Sequence, residues 1–315
     1  MGYTMNFDLT EDQEALRDGI RALCTGRFAR ERVRAGFHRP MFDELAETGV
    51  FSLRADGFGW ADASIAFQEL GRALVPGPLV VSQLSHGLVD GIVTGLHRPA
   101  AGDPAMVEHL AGADAVVVFD ADGITRIPAD AFGAAVSLDW PLDPLTPVSR
   151  VDPLPGGEAI GDAAVAASWQ VGGAVLTAAY QVGMAEACVV AATAYALERH
   201  QFDRPIGSFQ AVKHILANMT VRAEIARAAA DAAAVTLDDP EIGDVGRAVS
   251  GARLLASEAA LKNAKASMQV HGGMGFTWEV DVHLYLKRAW ALNTVFGTPT
   301  AHADSLARTL AAGVA

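Results

Sequence analysis

The chain has 315 residues, of which 51% are hydrophobic and 19% charged, a composition typical of folded globular proteins and unlike that of disordered ones. Its 24 Lys and Arg against 37 Asp and Glu give a formal net charge of −13, which disfavours nucleic acid and anionic membranes as partners. The 2 cysteines make no disulfide framework, and the 9 histidines lack metal-ligand spacing, so we predict no metal site. The N-terminus turns acidic too early for a signal peptide, which predicts a cytoplasmic location.

The first hundred residues are predicted to be mostly helical. Thr10 and Gln13 form a capping box before an amphipathic run that continues to about Phe28. Asp62 is expected to cap a helix that ends at Leu74. Two further helices are predicted, from Pro40 to Gly49 and from Leu79 to Leu96.

The residue pattern changes from helical to strand-like near residue 114. Residues 115–119 are apolar, residues 124–127 are mostly β-branched, and the turn between them contains Gly123, a pattern that indicates two short strands. Prolines at positions 128, 141, 144, 147, 153 and 155 exclude long helices from the next segment and favour edge strands and loops. We therefore predict a small β-domain over residues 113–165, after an N-terminal helical domain over residues 1–112.

Helix resumes near Ser168 and dominates to the end of the chain. Between Ser168 and Leu197 the only charged residue is Glu186, and the run is long enough to span a bilayer. An acid near the middle of a membrane span is costly, so we expect a helix buried inside the protein instead.

Three more long helices and a short one should follow this buried helix. Ser208 is expected to cap the second long helix, and Asp239 the third, with Pro240 at its first position. The third should stop at Gly272, a fourth should span residues 278–293, and a short last one should start at Pro299. Antiparallel helices with short connections predict a four-helix bundle over residues 166–315.

Two segments contain residue types that packing alone would not select. Arg199 and Phe202 lie in the connection between the first two bundle helices, where they suit a phosphate and a stacked base. Gln269 precedes a turn with three glycines, whose backbone N–H groups can bind phosphate oxygens. Taken separately, each has a structural alternative: Arg199 can complement the helix dipole, and Gly272-Gly273 can end a helix.

Together these segments resemble the signatures of the acyl-CoA dehydrogenase family. One matches Arg-x-x-Phe-x-x-Pro-Ile-x-x-Phe-Gln, and the other matches Gln-x-x-Gly-Gly-x-Gly. The N-terminal run Leu9-Thr10-x-x-Gln13 and the segment Glu69–Leu74 are similar to the family as well. The resemblance covers the N-terminal third and the C-terminal bundle. It implies a mainly α, acyl-CoA dehydrogenase-like fold with an N-terminal helical domain, a reduced small β-domain and a C-terminal four-helix bundle.

The resemblance also implies FAD as cofactor, with its flavin ring in a neighbouring subunit. The residues expected to hold the ADP half are those of the two signatures: Arg199, Phe202, Gln269, Gly272, Gly273 and Gly275.

The catalytic base of the family is missing from its expected places. Most members have a glutamate directly before a Gly-Thr pair, and this chain has Phe296 before Gly297. A smaller branch has its acid near the start of the first bundle helix, where this chain has Gly173. The Thr-Glu-Pro, Gly-Ser-Asp and Trp-Ile-Thr segments of the family's β-domain are also absent.

The chain thus resembles the short base-less subunit of heteromeric, steroid-type actinobacterial acyl-CoA dehydrogenases. The resemblance implies an α2β2 assembly with a homologous full-length subunit, an acyl-CoA substrate, and an electron-transfer flavoprotein as acceptor. Three alternatives remain open. The first is a self-sufficient dehydrogenase whose base is an unrecognised carboxylate, for which Glu279 and Asp281, in the first turn of the predicted fourth helix, are candidates. The others are a non-catalytic structural or regulatory homologue without flavin, and a flavin oxidase on the same fold.

Overall fold

A computed structural model describes residues 8–312, and most of these residues are helical. The helices, in chain order, are α1 (Glu11–Arg27), α2 (Arg30–Arg34), α3 (Arg39–Ala46), α4 (Trp60–Arg72), α5 (Leu79–Ser85), α6 (Ala163–Glu198), α7 (Gln210–Asp238), α8 (Val245–His271), α9 (Val282–Leu292) and α10 (Pro299–Ala312). The mainly helical fold class predicted from the sequence is confirmed.

The strands form three small sheets. They are β1 (Val93–His97), β2 (Ala105–Glu108), β3 (Ala115–Phe119), β4 (Gly123–Pro128), β5 (Val136–Ser137), β6 (Val148–Val151), β7 (Glu158–Asp162), β8 (His200–Gln201) and β9 (Arg204–Pro205). The sheet orders are β1-β3-β4-β7, β2-β6-β5 and β8-β9, and only the β1–β3 pair is parallel. The two strands predicted at residues 115–119 and 124–127 are confirmed as β3 and β4.

The described chain divides into two compact units, each with its own core. The bundle unit comprises residues 8–29, 60–75 and 174–312, and the β unit comprises residues 30–59 and 76–173. In the β unit, residues of β2, β3 and β4 form one buried apolar cluster, which includes Val107, Val116, Val118, Ile127 and Phe132. The three-domain division at residues 112 and 165 stays a prediction.

The α1 N-terminus has the predicted geometry, whereas the predicted cap of α4 is wrong. Thr10 Oγ1 accepts from the Gln13 N–H, and Gln13 Oε1 accepts from the Thr10 N–H. Asp62 lies inside the first turn of α4 and accepts a hydrogen bond from the Gln13 side chain. The Asp238 carboxylate accepts from the N–H groups of Trp60 and Ala61 instead. A residue distant in sequence thus satisfies the free donors of α4.

The helix predicted from Leu79 to Leu96 is also wrong beyond Ser85. Gly87 and Gly91 follow α5 with φ of 80° and 84°, values that end a helix and favour glycine. The residues after them pair in parallel with β3, so Val93 and Thr94 belong to a strand. Strand structure therefore begins at Val93, before residue 113, where the sequence analysis places the start of the β-domain.

Three predicted helix starts in the bundle shift for local reasons. Ser208 lies in a 3₁₀ turn, and α7 begins two residues later without a side-chain cap. Asp239 caps another 3₁₀ turn, and extended backbone at Gly243 delays α8, which Asp244 caps. The predicted fourth helix begins at Val282 instead of residue 278, after the glycine-rich 3₁₀ turn.

Helix α6 is the one described helix long and apolar enough to cross a membrane by length and composition, and 72% of its most apolar window is buried inside the protein. This agrees with the predicted buried helix. Glu186 on α6 forms an ion pair with Arg72 of α4.

The backbones of α4 and α6 touch where the two helices pack together. A Cβ atom on Gly183 would overlap the carbonyl oxygen of Gln68, and one on Gly71 would overlap the carbonyl oxygen of Tyr180. Backbone atoms cannot move aside as a flexible side chain can. Both glycines are therefore required for this helix packing.

We predict that Gly183→Ala lowers the free energy of unfolding by about 1–3 kcal/mol, because the added methyl group forces the two helices apart. The matched control is Gly251→Ala in α8, where an added Cβ meets no atom within 4 Å. It should raise the free energy of unfolding by up to about 1 kcal/mol, since alanine is the better helix former. Urea unfolding followed by circular dichroism measures both, and equal stabilities would contradict the prediction.

Candidate functional site

The first predicted site segment folds as a tight hairpin at the C-terminal end of α6. The Arg199 N–H still donates to the Tyr195 carbonyl oxygen at 2.8 Å, as in a helix. Strands β8 and β9 then pair, and the Ile206 N–H donates to the Arg199 carbonyl oxygen at 2.7 Å. Arg199 thus lies at the base of a hairpin whose backbone is held on both sides.

The tip of this hairpin has a strained backbone. Phe202 and Asp203 have φ of 52° and 63°, a left-handed conformation that favours glycine or asparagine. The Phe202 side chain is 86% exposed, and its ring centroid lies 6.1 Å from that of Phe209. A bulky residue in a strained, exposed position is a candidate for contact with another molecule.

The second segment is the glycine-rich turn after α8, in which the three glycines have different surroundings. Gly272 has φ of 60°, and its N–H donates to the Gln269 carbonyl oxygen. A Cβ atom on Gly275 would come within 2.7 Å of the Met268 carbonyl oxygen, so Gly275 permits close packing. Gly273 has no positive φ, and an added Cβ would meet nothing within 4 Å. Contacts within the chain therefore do not explain a glycine at position 273.

The structure brings the two segments to the same end of the bundle. The rings of Tyr195 and His271 stack, with centroids 4.3 Å apart and planes 24° from parallel. His271 Nδ1 lies 2.7 Å from the Ser267 carbonyl oxygen, which fixes the ring. Tyr195 and Ile206 pack on the same core cluster as residues of α8. This stack explains why the ends of α6 and α8 lie side by side.

The predicted ligand-binding side chains are exposed and available. Arg199, Phe202, Gln269, Gly272 and Gly273 are exposed, whereas Gly275 is buried. Within the described range 8–312, neither the Arg199 guanidinium nor the Gln269 side-chain amide has a hydrogen-bond or ion-pair partner in the chain. Their polar groups are therefore free for a ligand that spans both segments.

Neither expected base position contains an acid, and both are buried. Phe296 is 1% exposed, and the His302 Nε2 atom lies 3.0 Å from its carbonyl oxygen. Gly173 lies within α6. The alternative acids Glu279 and Asp281 precede α9 instead of occupying its first turn as predicted. Both positions at which the family resemblance places a base are therefore buried inside the protein.

The loop that carries Phe296 is held by Arg253, a residue that the sequence analysis did not identify. Arg253 Nη2 donates to the carbonyl oxygens of Leu292, Val295 and Gly297 at 3.0–3.3 Å. Its Nη1 donates to Gln181 Oε1 on α6. The side chain is 1% exposed, and burial lowers its pKa to about 10, so it stays charged at neutral pH. Its position between Ala252 and Leu254 in an apolar stretch of α8 is the only signal that the sequence offers.

A second charged cluster lies where α1, α4, α6 and α7 meet. Arg21 donates to both carboxylate oxygens of Glu69 at 2.7 and 2.9 Å, and Arg72 pairs with Glu186. Burial raises the pKa of Glu186, against the opposing effects of Arg72 and Arg227. The cluster borders a cavity of about 230 Å³. Each acid here has a cationic or amide partner, so the cluster ties the helices together.

The β unit has a cavity of its own, with a volume of about 300 Å³. It is lined by His97, Phe119, Asp120 and Gln170, together with alanines of α6. Its one carboxylate, Asp120, accepts from Arg98 Nε at 2.6 Å, and this bond lowers the Asp120 pKa. A lowered pKa makes Asp120 a weak proton acceptor. Asp120 is therefore poorly suited to act as a base.

No group of three or more His, Cys, Asp or Glu in the part of the chain that the structure describes could hold a metal ion. His271 stacks on Tyr195, and His214 is exposed on α7.

Comparison with known proteins gives consistent matches. Residues 167–311 match the family model "Acyl-CoA dehydrogenase, C-terminal domain", a range that contains both site segments. Over 312 residues the chain is 35% identical to acyl-CoA dehydrogenase IpdE2 of Mycobacterium tuberculosis, covering 89% of this chain and 91% of that protein.

Two solved structures share the fold. The ChsE4–ChsE5 complex of Mycobacterium tuberculosis superposes with a TM-score of 0.81 at 22% identity, covering 98% of this chain and 99% of that chain. A variant of the Tcur3481–Tcur3483 steroid ACAD superposes with a TM-score of 0.80 at 21% identity, covering 96% and 99%. At these identities the likeness establishes the fold.

We predict that Arg253→Met lowers the free energy of unfolding by about 3 kcal/mol, because buried carbonyl oxygens lose their donor. The control is Arg247→Met on the same helix, where the side chain is exposed and the change should stay within about 0.5 kcal/mol. Denaturant unfolding measures both variants. Hydrogen exchange of residues 292–298 should also speed up in Arg253→Met alone, and unchanged exchange would contradict the role of Arg253.

Proposed function

The chain belongs to the acyl-CoA dehydrogenase family, and on this premise we propose that it is the subunit that completes the FAD site of a homologous full-length dehydrogenase without supplying the base. The reaction is the α,β-dehydrogenation of an acyl-CoA thioester. The observation that carries the proposal is the contrast between two parts of the bundle unit. Arg199 and Gln269 are exposed without partners in the described chain, whereas positions 296 and 173 offer no acid.

The ADP half of FAD fits the end of the bundle formed by the hairpin and the glycine-rich turn. An unpaired guanidinium at Arg199 suits a phosphate, to which arginine binds through charge-assisted hydrogen bonds. Gly273 leaves space where a side chain would otherwise stand, and Phe202 presents a ring for stacking on adenine. Gln269, Gly272 and Gly275 shape the turn. All six residues were assigned to this role from the sequence, and the assignment remains our proposal.

The missing base has a chemical consequence. Removal of the acyl α-proton requires a carboxylate within hydrogen-bonding reach and with a suitable pKa. Phe296 has no lone pair, and Gly173 has no side chain. The acids that line the two described cavities are held by arginines or Gln68. We therefore assign the base, and with it most of the acyl-binding wall, to the partner subunit.

FAD, when bound, supplies the acceptor for the hydride that leaves the acyl β-carbon, and electrons then pass to an electron-transfer flavoprotein. The part of this chain is to bind and orient: Arg199 neutralises phosphate charge, and the hairpin and turn fix the position of the dinucleotide. The rigid base of the hairpin and the Tyr195–His271 stack hold both groups before the ligand arrives. Such fixed groups lose little entropy on binding.

The names of two solved relatives support the proposed partner and substrate class. One solved relative is the ChsE4–ChsE5 complex, and another is named a steroid ACAD. We propose an α2β2 heterotetramer acting on a steroid-derived acyl-CoA in the cytoplasm. The three-domain division at residues 112 and 165 belongs to the same proposal.

If each flavin needs one subunit of each kind, the α2β2 tetramer should contain two FAD. The chain produced alone should contain little or none, because the flavin-ring side of the site is absent. Flavin absorbance of the denatured complex, divided by the protein concentration, gives the ratio. A stoichiometrically yellow homomer would support the self-sufficient enzyme instead, and a colourless complex would support a non-catalytic homologue.

Arg199→Ala in the complex should weaken FAD binding roughly ten- to a hundredfold, because a charge-assisted bond to phosphate contributes about 1.5–3 kcal/mol. Added FAD should restore turnover, since the change leaves the base untouched. Arg247→Ala, an exposed arginine near the start of α8, is the control and should leave FAD affinity unchanged. Fluorescence titration of the apo-complex with FAD measures the affinity. An unchanged FAD affinity for Arg199→Ala would show that Arg199 has a purely structural role.

A further inference from the structure

Three aromatic side chains project from the end of the bundle that carries the proposed FAD segments. Phe202 is 86% exposed at the hairpin tip, Phe276 is 77% exposed at the end of the glycine-rich turn, and Trp278 is 58% exposed two residues later. Leu197 and Val190, on the last turns of α6, are also more than half exposed. These apolar side chains belong to two segments that the Tyr195–His271 stack brings together.

The size of this apolar surface matches the centre of a protein interface. A large aromatic side chain buries roughly 150–250 Å² when covered. At the observed exposures the three aromatic rings offer on the order of 400 Å². A stable interface buries about 800 Å² on each partner. Phe276 and Trp278 alone offer on the order of 270 Å², roughly a third of the area that each partner buries in such an interface.

A bound dinucleotide does not account for all of this surface. The ADP half of FAD has a single base, adenine, to stack on a ring. Phe202, in the same hairpin as the unpaired Arg199, can supply that ring. Trp278 is already fixed by its own neighbours: the Lys287 Nζ atom lies 5.0 Å from its ring centroid, and the His283 ring packs edge-on at 4.8 Å. A partly exposed tryptophan held in one orientation is typical of an anchor in a protein–protein interface.

We propose that Phe276 and Trp278 are the anchors by which this chain docks onto its homologous full-length subunit. This proposal rests on the proposed function and assigns the exposed aromatic residues to two different binding partners. Phe202 serves the dinucleotide, while Phe276 and Trp278 serve the protein partner. We choose the full-length subunit as the partner because this surface adjoins the proposed FAD site. The chain that supplies the flavin-ring side of that site must approach this end of the bundle. Docking and flavin binding are then separable by mutation.

The test uses the chain co-produced with a homologous full-length acyl-CoA dehydrogenase from the same organism. Three variants are compared with wild type: Phe276→Ala with Trp278→Ala, Phe202→Ala, and the control Trp140→Ala. Trp140 is a matched control because it is 94% exposed and lies in the loop between β5 and β6 of the β unit. Dissociation constants come from analytical ultracentrifugation with saturating FAD, and FAD content from absorbance. Circular dichroism and the melting temperature of each variant check folding.

The double variant should bind the partner at least a hundredfold more weakly, since loss of one interface anchor costs roughly thirtyfold in affinity. Trp140→Ala should assemble normally, and Phe202→Ala should assemble but bind FAD more weakly.

Three outcomes would overturn the docking proposal. If the double variant assembles normally yet loses FAD, the two aromatics are flavin contacts, and the proposed function stands without the docking surface. If Trp140→Ala weakens assembly equally, the effect is not specific to this surface. If the isolated wild-type chain forms a homodimer that the double variant dissociates, the occupant is a second copy. Failure of the wild-type chain to assemble with any such homologue would instead contradict the proposed function itself.

Discussion

The structure depends most on the burial of α6. This helix runs for 36 residues with only two charged side chains, Glu186 and, at its last position, Glu198, so it is stable only when other elements surround it. Gly71 and Gly183 let α4 approach until the two backbones touch, and the ion pair between Arg72 and Glu186 satisfies the one acid at that depth. Because α6 is fixed in this way, the position of its last turn is fixed as well. The Arg199 hairpin therefore starts from a defined point.

The bundle unit treats the two regions that the family resemblance assigns to cofactor and base in opposite ways. At the ends of α6 and α8, the backbone is held firmly while Arg199, Phe202 and Gln269 face solvent. Around residue 296 the interior is closed, since Arg253 binds three carbonyl oxygens of the surrounding loop. This closed loop leaves no room for a reacting group at position 296. A division of the active site between two chains is the arrangement that both regions favour.

The sequence predicted helices and turns best where the signal was local. The capping box at Thr10, the strands at residues 115–119 and 124–127, and the end of α8 at Gly272 depend on neighbouring residues, and all are found. The errors arise where distant residues decide: Asp238 replaces Asp62 at the start of α4, and pairing with β3 turns residues 93–97 into a strand. The site residues were recognisable as motifs. Arg253 and the Tyr195–His271 stack were not, because each requires contacts between helices far apart in the chain.

The left-handed turn at Phe202 and Asp203 has a consequence for how this chain can change. Glycine or asparagine at position 202 would relieve the backbone strain and make the hairpin more stable. Either replacement would also remove the exposed ring. If the ring binds FAD as we propose, selection for stability and selection for ligand binding oppose each other at this one residue. Stabilising variants of the protein should be sought elsewhere, and a chain that had lost its ligand would be free to give up the phenylalanine.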